Sequence, residues 1–254
     1  MKIYTFNDKV LTRNSRWLKE YEEPTPPTPS LPPYTIRLRF TDGNQPNPFP
    51  NGTAVQVSSS PNIWDITYEN SDWTDMCGYQ YFLEEIIAAN ITGVTGMQNL
   101  FSDSPNLQSV PLFDISSATN VRGMFKNCDI LSSVPLFNTS NVANMSSMFE
   151  NCGSLTSVPL FNTSNVTTMN SMLSGCGSLT AVPLFDTSKV TDMRYMLNHC
   201  YKVESGALAL YQQASSQTTP PSYYSYTFRD CGRDTATGAA ELAQIPASWG
   251  GTMA

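Results

Sequence analysis

The apolar positions of this chain recur in blocks of 24 residues. The stretch "VPLFNTSNVANMSSMFENCGSLTS" runs from Val134 to Ser157, and a near copy, "VPLFNTSNVTTMNSMLSGCGSLTA", starts at Val158. Units of this kind open at Val110, Val134, Val158 and Val182, and a more divergent one over 86–109 keeps Val94, Met97, Leu100, Phe101 and Leu107 in register. A fixed period of this length marks a repeat architecture, in which each unit buries its apolar face against the next. Within a unit, Val142, Met145, Met148, Phe149 and Cys152 fall at steps of 3, 3, 1 and 3, the stripe of a helix with 3.6 residues per turn. Ser140 or Asn141 stands where an N-cap belongs, and Gly153 follows where a helix would end. Leu155, Val158 and Leu160 then read as an apolar lead-in and a short strand of period 2. The pattern predicts an α/β repeat, a leucine-rich-repeat solenoid of 24-residue coils with one short strand and one helix each.

The flanks break the period. "YTIRLRF", "GTAVQVSSS" and "NIWDITY" alternate as strands around a segment dense in turn formers, and "YFLEEIIAAN" predicts a helix leading into the first coil. After the last full coil, "SGALALYQQASSQ" predicts a longer helix ended by "TTPPS". Phe228, Cys231 and Gly232 repeat the spacing of Phe149, Cys152 and Gly153, and Leu242, Ile245 and Pro246 that of Leu155, Val158 and Pro159, with eight extra residues between. With Trp249, this reads as the atypical end unit that a repeat stack needs. Ahead of everything, "PTPPTPSLPP" holds six prolines in ten residues, an extended spacer of about 30 Å. The predicted organisation is an anchoring arm over 1–23, a proline-rich linker over 24–33, a small β domain or N-terminal cap over 34–85, leucine-rich repeats over 86–205 and a C-terminal capping unit over 206–254.

Charge narrows the partners. Fourteen Lys and Arg stand against 21 Asp and Glu, a formal net charge of -7, which disfavours nucleic acid and anionic membranes. No apolar run reaches the roughly 18–20 residues of a membrane span, and the first 21 residues lack the apolar block of a signal peptide. The expectation is a product made in the cytoplasm, with no membrane insertion.

Candidate chemistry is sparse. Cys128, Cys152, Cys176 and Cys200 recur every 24 residues, so they stack on successive coils instead of converging on a metal. They read as a ladder of small, buried, reduced side chains, and no metal or cofactor is expected. His199 is the single histidine and reads as an exposed turn residue. Asp114, Asn138, Asn162 and Asp186 share one slot and read as turn residues that satisfy the backbone after each strand. Over 134–181 the one charged residue is Glu150, so paired catalytic carboxylates are not expected there, nor is an enzyme. The candidate ligand-binding strip is Phe113, Phe137, Phe161 and Phe185. If Val158 and Leu160 point inward, alternation turns Pro159 and Phe161 to the open face, and four stacked rings with a neutral rim would suit a surface protein or glycan; the alternative is that the chain turns at the strand end and tucks each Phe into the core.

The segments "LFDTSKVTDMRYML", "LFNTSNVTTMNSML" and "LFNTSNVANMSSMF" resemble the leucine-rich repeats of BspA-type surface proteins of bacteria, found also in proteins encoded by bacteriophages of gut bacteria. The resemblance covers 86–205, about half of the chain, and implies an adhesin. An adhesin-like array without an export signal is reconciled by a tailed-phage virion protein, made in the host cytoplasm and displayed after lysis. The expectation is therefore a non-enzymatic structural and adhesive appendage of the head or tail fibre type. Residues 1–23, with Ile3, Tyr4, Phe6, Trp17, Leu18 and Tyr21 as anchoring side chains, would dock on other virion proteins. In that reading "IYTF" is a strand added to a partner and "SRWLKEY" an amphipathic turn. Arm and spacer are compatible with a homo-oligomer. The alternative is a bacterial cell-surface BspA-like adhesin.

Overall fold

The computed structural model describes residues 4–6, 9–14, 17–21, 31–41, 43–44, 52–75 and 80–252, with side chains from Leu31 onward. The chain divides into two units, Met1–Ser30 and Leu31–Ala254.

The first unit is an antiparallel meander of β1 (Tyr4–Phe6), β2 (Lys9–Asn14) and β3 (Trp17–Tyr21). Phe6 pairs with Lys9 and Asn14 with Trp17, which leaves two-residue links between strands. The strand expected to be lent to a partner is thus paired inside the unit, and the expected amphipathic turn is a strand. Of the anchoring candidates, Tyr4 and Phe6 lie on β1 and Trp17, Leu18 and Tyr21 on β3, while Ile3 lies outside the described residues. Most of the expected linker, 24–30, also lies outside them. Its last part is not a free spacer. Leu31 is buried within the second unit, and its carbonyl accepts from Asn90 Nδ2 at 2.7 Å.

The second unit opens with β4 (Thr35–Phe40), β5 (Thr53–Ser59), β6 (Asn62–Thr67) and β7 (Leu83–Asn90), antiparallel in the order β5-β6-β4-β7. Alternation in "TIRLRF" buries Ile36, Leu38 and Phe40, while Arg37 on the other face forks onto Asp65 at 2.7 and 2.8 Å. β7 replaces the helix expected at "YFLEEIIAAN". Its residues favour helix intrinsically, but both edges of the segment are claimed. On one side β4 supplies ladder bonds, an Arg39–Glu85 ion pair and a Thr41 hydroxyl donating to Glu84 at 3.0 Å. On the other, Gln108 N donates to Glu84 O at 2.8 Å, and Glu85 bridges Ser109 in parallel. Tertiary pairing overrides propensity here.

The repeats do stack with the 24-residue period, through parallel bridges from Asp72 to Gly96, Asn120, Asn144, Thr168 and Asp192. They are not leucine-rich-repeat coils of strand and helix. Between β7 and residue 206 the described chain contains isolated bridges and turns, and neither a helix nor a ladder strand. In one coil, the N–H groups of Met145, Ser147, Phe149 and Asn151 donate to Thr168, Asn170, Met172 and Ser174 of the next coil at 2.7–3.1 Å. Those of Met148, Glu150 and Cys152 donate three residues back, to Met145, Ser147 and Phe149, at 3.1–3.2 Å. Alternate peptides therefore join coils and close tight turns. Ser147 and Asn151 lie at φ 56° and 60°, the left-handed values found at the third residue of type II turns, and a right-handed helix does not pass through them. The expected inward set is nonetheless the core: Val142, Met145, Met148, Phe149, Cys152 and Leu155 are all fully buried.

At the far end, α1 (Ala207–Ser215) and α2 (Ala236–Leu242) interrupt the final coil, which still pairs through Met193 N to Tyr223 O and Leu197 N to Thr227 O. α1 matches the helix expected there, and α2 occupies the extra residues seen between Cys231 and Ile245. Thr235 caps α2 by accepting from Gly238 N at 3.0 Å. A 3-10 turn, Ala247–Trp249, then lays Trp249 on Tyr224 with ring centres 4.3 Å apart.

Candidate functional site

The V-P-L-F segment sets the outer edge of each coil. Phe137, Phe161 and Phe185 N–H groups donate to the carbonyls of Pro135, Pro159 and Pro183, two residues back, at 2.9–3.0 Å. Such a three-residue turn reverses the alternation expected of a strand. Phe113, Phe137, Phe161 and Phe185 are consequently buried, at 6, 2, 2 and 0 % exposure. A phenylalanine binding strip does not exist. Phe137 and Phe161 instead pack on Phe125 and Phe149 with centres 6.3 and 6.1 Å apart. The side chains turned outward are Leu112, Leu136, Leu160 and Leu184, at 67, 60, 61 and 52 %. The proline inside each segment was the signal that a strand would not continue, since it removes a ladder donor. Between successive leucines lie two notches of about 310 Å³ each, one lined by Leu136, Asn138, Thr139 and Leu160, the next by Leu160, Asn162, Leu184 and Asp186.

The polar side chains behind this row are engaged in holding the turns. Asp114, Asn138, Asn162 and Asp186 accept from the N–H groups of Ser116, Ser140, Ser164 and Ser188 at 2.9–3.2 Å, the role expected of that slot. The bonds from Ser116 and Ser188 hold the Asp114 and Asp186 carboxyls below the usual carboxylate range. Inside, Cys128, Cys152, Cys176 and Cys200 donate to the carbonyls of Phe101, Phe125, Phe149 and Leu173 at 3.1–3.3 Å. They are free thiols, and burial pushes their pKa values well up. Cys231 is likewise pushed up to about 12 by burial. Thiols so placed are inert as nucleophiles. Cys77 lies outside the described residues.

The left-handed residues follow later in each coil, at positions such as Ser147 and Asn151. Asn127 Nδ2 donates to Asp103 at 2.6 Å and Asn151 Nδ2 to Asn127 at 2.8 Å, forming an amide ladder up the coils. A polar cavity of about 340 Å³ is lined by Asn99, Asp103, Arg122, Lys126, Asn127 and Ser147. His199 is another of the left-handed residues, with Nδ1 3.1 Å from Asp230. Among the described residues, no group of three or more His, Cys, Asp or Glu is placed to hold a metal ion, and no helix is long and apolar enough to cross a membrane.

The family model described as "Mycoplasma protein of unknown function, DUF285" matches residues 72–178 and 130–219, together more than half of the chain. The chain belongs to this family. The DUF285 repeat is BspA-like, which agrees with the resemblance carried by "LFNTSNVTTMNSML", and the matched segments take in the turn-built coils together with β7 and α1. No curated protein and no solved structure matches the chain.

Proposed function

We propose that this DUF285 protein is a non-enzymatic structural and adhesive protein of a phage virion, in which the coil stack presents a surface for host or environmental ligands and residues 1–23 attach it to other virion proteins. The observation that carries the adhesive part is the row Leu112, Leu136, Leu160 and Leu184. Four large apolar side chains stand exposed on consecutive coils, in a segment whose one charged residue between 134 and 181 is Glu150. Such a contiguous apolar strip marks an interaction surface. The notches between the leucines add a regular relief into which a partner's side chains fit. The division of the chain at Ser30 supports an attachment unit separate from the display unit.

The BspA-like repeat favours a second reading, a bacterial cell-surface adhesin. One fractionation separates the two. Antibody to the repeat region should find the protein co-banding with particles on a density gradient, and deletion of residues 1–23 should abolish incorporation. Retention on intact cells would support the adhesin instead, and normal incorporation without residues 1–23 would remove the anchoring role.

A further inference from the structure

The left-handed slots hold small or amide-type residues through most of the stack, and bulky ones at its C-terminal end. The first slot reads Asn99, Gly123, Ser147 and Ser171, then Tyr195 and Tyr226 at φ 59° and 60°. Positive φ suits glycine and asparagine and is an outlier for a large side chain. Strain of this kind persists where the surroundings fix it, and it clusters at functional sites. Burial does not explain the two tyrosines. Their rings stack 5.3 Å apart and 17° from parallel, yet remain 38 and 46 % exposed. Tyr223, 57 % exposed and three residues before Tyr226 in the same coil, lies under the guanidinium of Arg194, the residue next to Tyr195, at 4.9 Å, and Arg229 stands over Tyr226 at 5.6 Å.

From this geometry we infer a saccharide-binding platform at the C-terminal end of the coil stack, made by Tyr195, Tyr223 and Tyr226 with Arg194 and Arg229, whose ligand is a neutral oligosaccharide. This inference rests on the reading of the coil stack as adhesive and assigns it a second contact surface, separate from the leucine row. A pyranose presents an apolar C–H face and a rim of hydroxyls. The faces of Tyr195 and Tyr223 turned away from Tyr226 and Arg194 accept the first, and the phenol hydroxyls and guanidinium donors serve the second. The charges decide between neutral and acidic sugars. Arg194 is forked onto Asp192 at 2.7 and 3.0 Å, and Asp230 stands 3.9 Å from Arg229 and 3.0 Å from Arg233. Arg194 is hydrogen-bonded to its own carboxylate, and Arg229 stands at ion-pair distance from Asp230, which it shares with Arg233 and His199, so the carboxylates offset the guanidinium charge and favour a neutral ligand. The fork on Asp192 uses two of the five N–H donors of Arg194 and leaves the others for hydroxyls.

The test is binding of the full-length chain to immobilised neutral oligosaccharides of hexoses and N-acetylhexosamines, with sialylated and uronic-acid oligosaccharides alongside. The wild-type chain should be retained on neutral sugars. Tyr195→Asn/Tyr226→Asn should lower the signal at least tenfold with no fall in melting temperature, because asparagine already fills left-handed slots at Asn99, Asn127 and Asn151. Arg229→Gln, which keeps both rings, should also weaken binding. Val55→Ser/Val57→Ser, on the exposed strand β5, should leave it unchanged. Retention by the tyrosine double variant, preference for acidic sugars, or loss in the β5 variant alone would each overturn the platform. Absence of saccharide binding in a chain that still co-bands with particles would overturn it while leaving the attachment reading intact.

Discussion

At the scale of single residues, the conformation of the coil is decided by two positions in each unit that must take positive φ. Asparagine, aspartate, serine and glycine fill them for different reasons. Asn127 and Asn151 add a hydrogen bond to the coil below, whereas Gly123 and Gly175 end such ladders, and a Cβ there would meet the amide of the asparagine one coil below. A Cβ on Gly175, at φ 78°, would sit 2.4 Å from Asn151 Oδ1. Gly175→Ala should therefore cost about 1–2 kcal/mol from the left-handed conformation, plus the displacement of the Asn151 amide. Urea unfolding should show a lower midpoint with an unchanged slope. Asn151→Ala in the same background removes the contact and leaves the conformational cost, so the double variant should lose less than the two singles added together. Strict additivity would mean that the amide does not abut the glycine.

At the scale of the element, the sequence pattern and the fold agree on what is inside and disagree on the shape of the path. Val142, Met145, Met148, Phe149 and Cys152 are legible as core because apolar side chains must leave water, whatever the backbone does. Their 3-3-1-3 spacing fits a helix, but it fits a run of four-residue turns equally well, and periodicity alone does not separate them. The small polar residues Ser147 and Asn151, four apart, were the discriminating signal. The strands β4, β5 and β6 were legible from alternation, and the end unit from Cys231, Ile245 and Trp249. β7 was not, since its pairing with Ser109 and β4 is invisible locally. The sharpest miss is the exchange of Leu160 and Phe161, which follows from a single turn at Pro159. It is tested by comparing neighbours. Phe137→Ala should destabilise by about 3–5 kcal/mol as a core truncation, and Leu136→Ala by no more than about 0.5 kcal/mol as an exposed one. Chemical denaturation of the two variants decides the order, and a costlier Leu136 variant would restore the plain strand.

At the scale of the molecule, a stack of turn-built coils has the weakness of every repeat array: each coil is covered by its neighbours, and the end coils have one neighbour too few. The β4–β7 sheet serves one end, lending the edge of β7 to residues 108–109. The other end depends on Trp249, which packs on Tyr224, Tyr211 and Phe228 with ring centres 4.3, 5.4 and 6.3 Å away, while its carbonyl accepts from Phe228 N at 2.9 Å. Because contacts run between neighbouring coils, loss of this cap should loosen the stack from that end inward. Trp249→Ala should cost about 3–5 kcal/mol overall, and hydrogen exchange should show where. The amides of Leu197 and His199, which bond to Thr227 and Arg229 of the final coil, should lose protection first. Those of Met145 and Phe149, two coils away, should keep theirs. Removing Met1–Ser30 should leave both sets protected, because the cut falls before Leu31, where the second unit begins. If Trp249→Ala instead lowers protection evenly from Met145 to His199, the coils unfold as one cooperative body and the cap protects the whole stack at once.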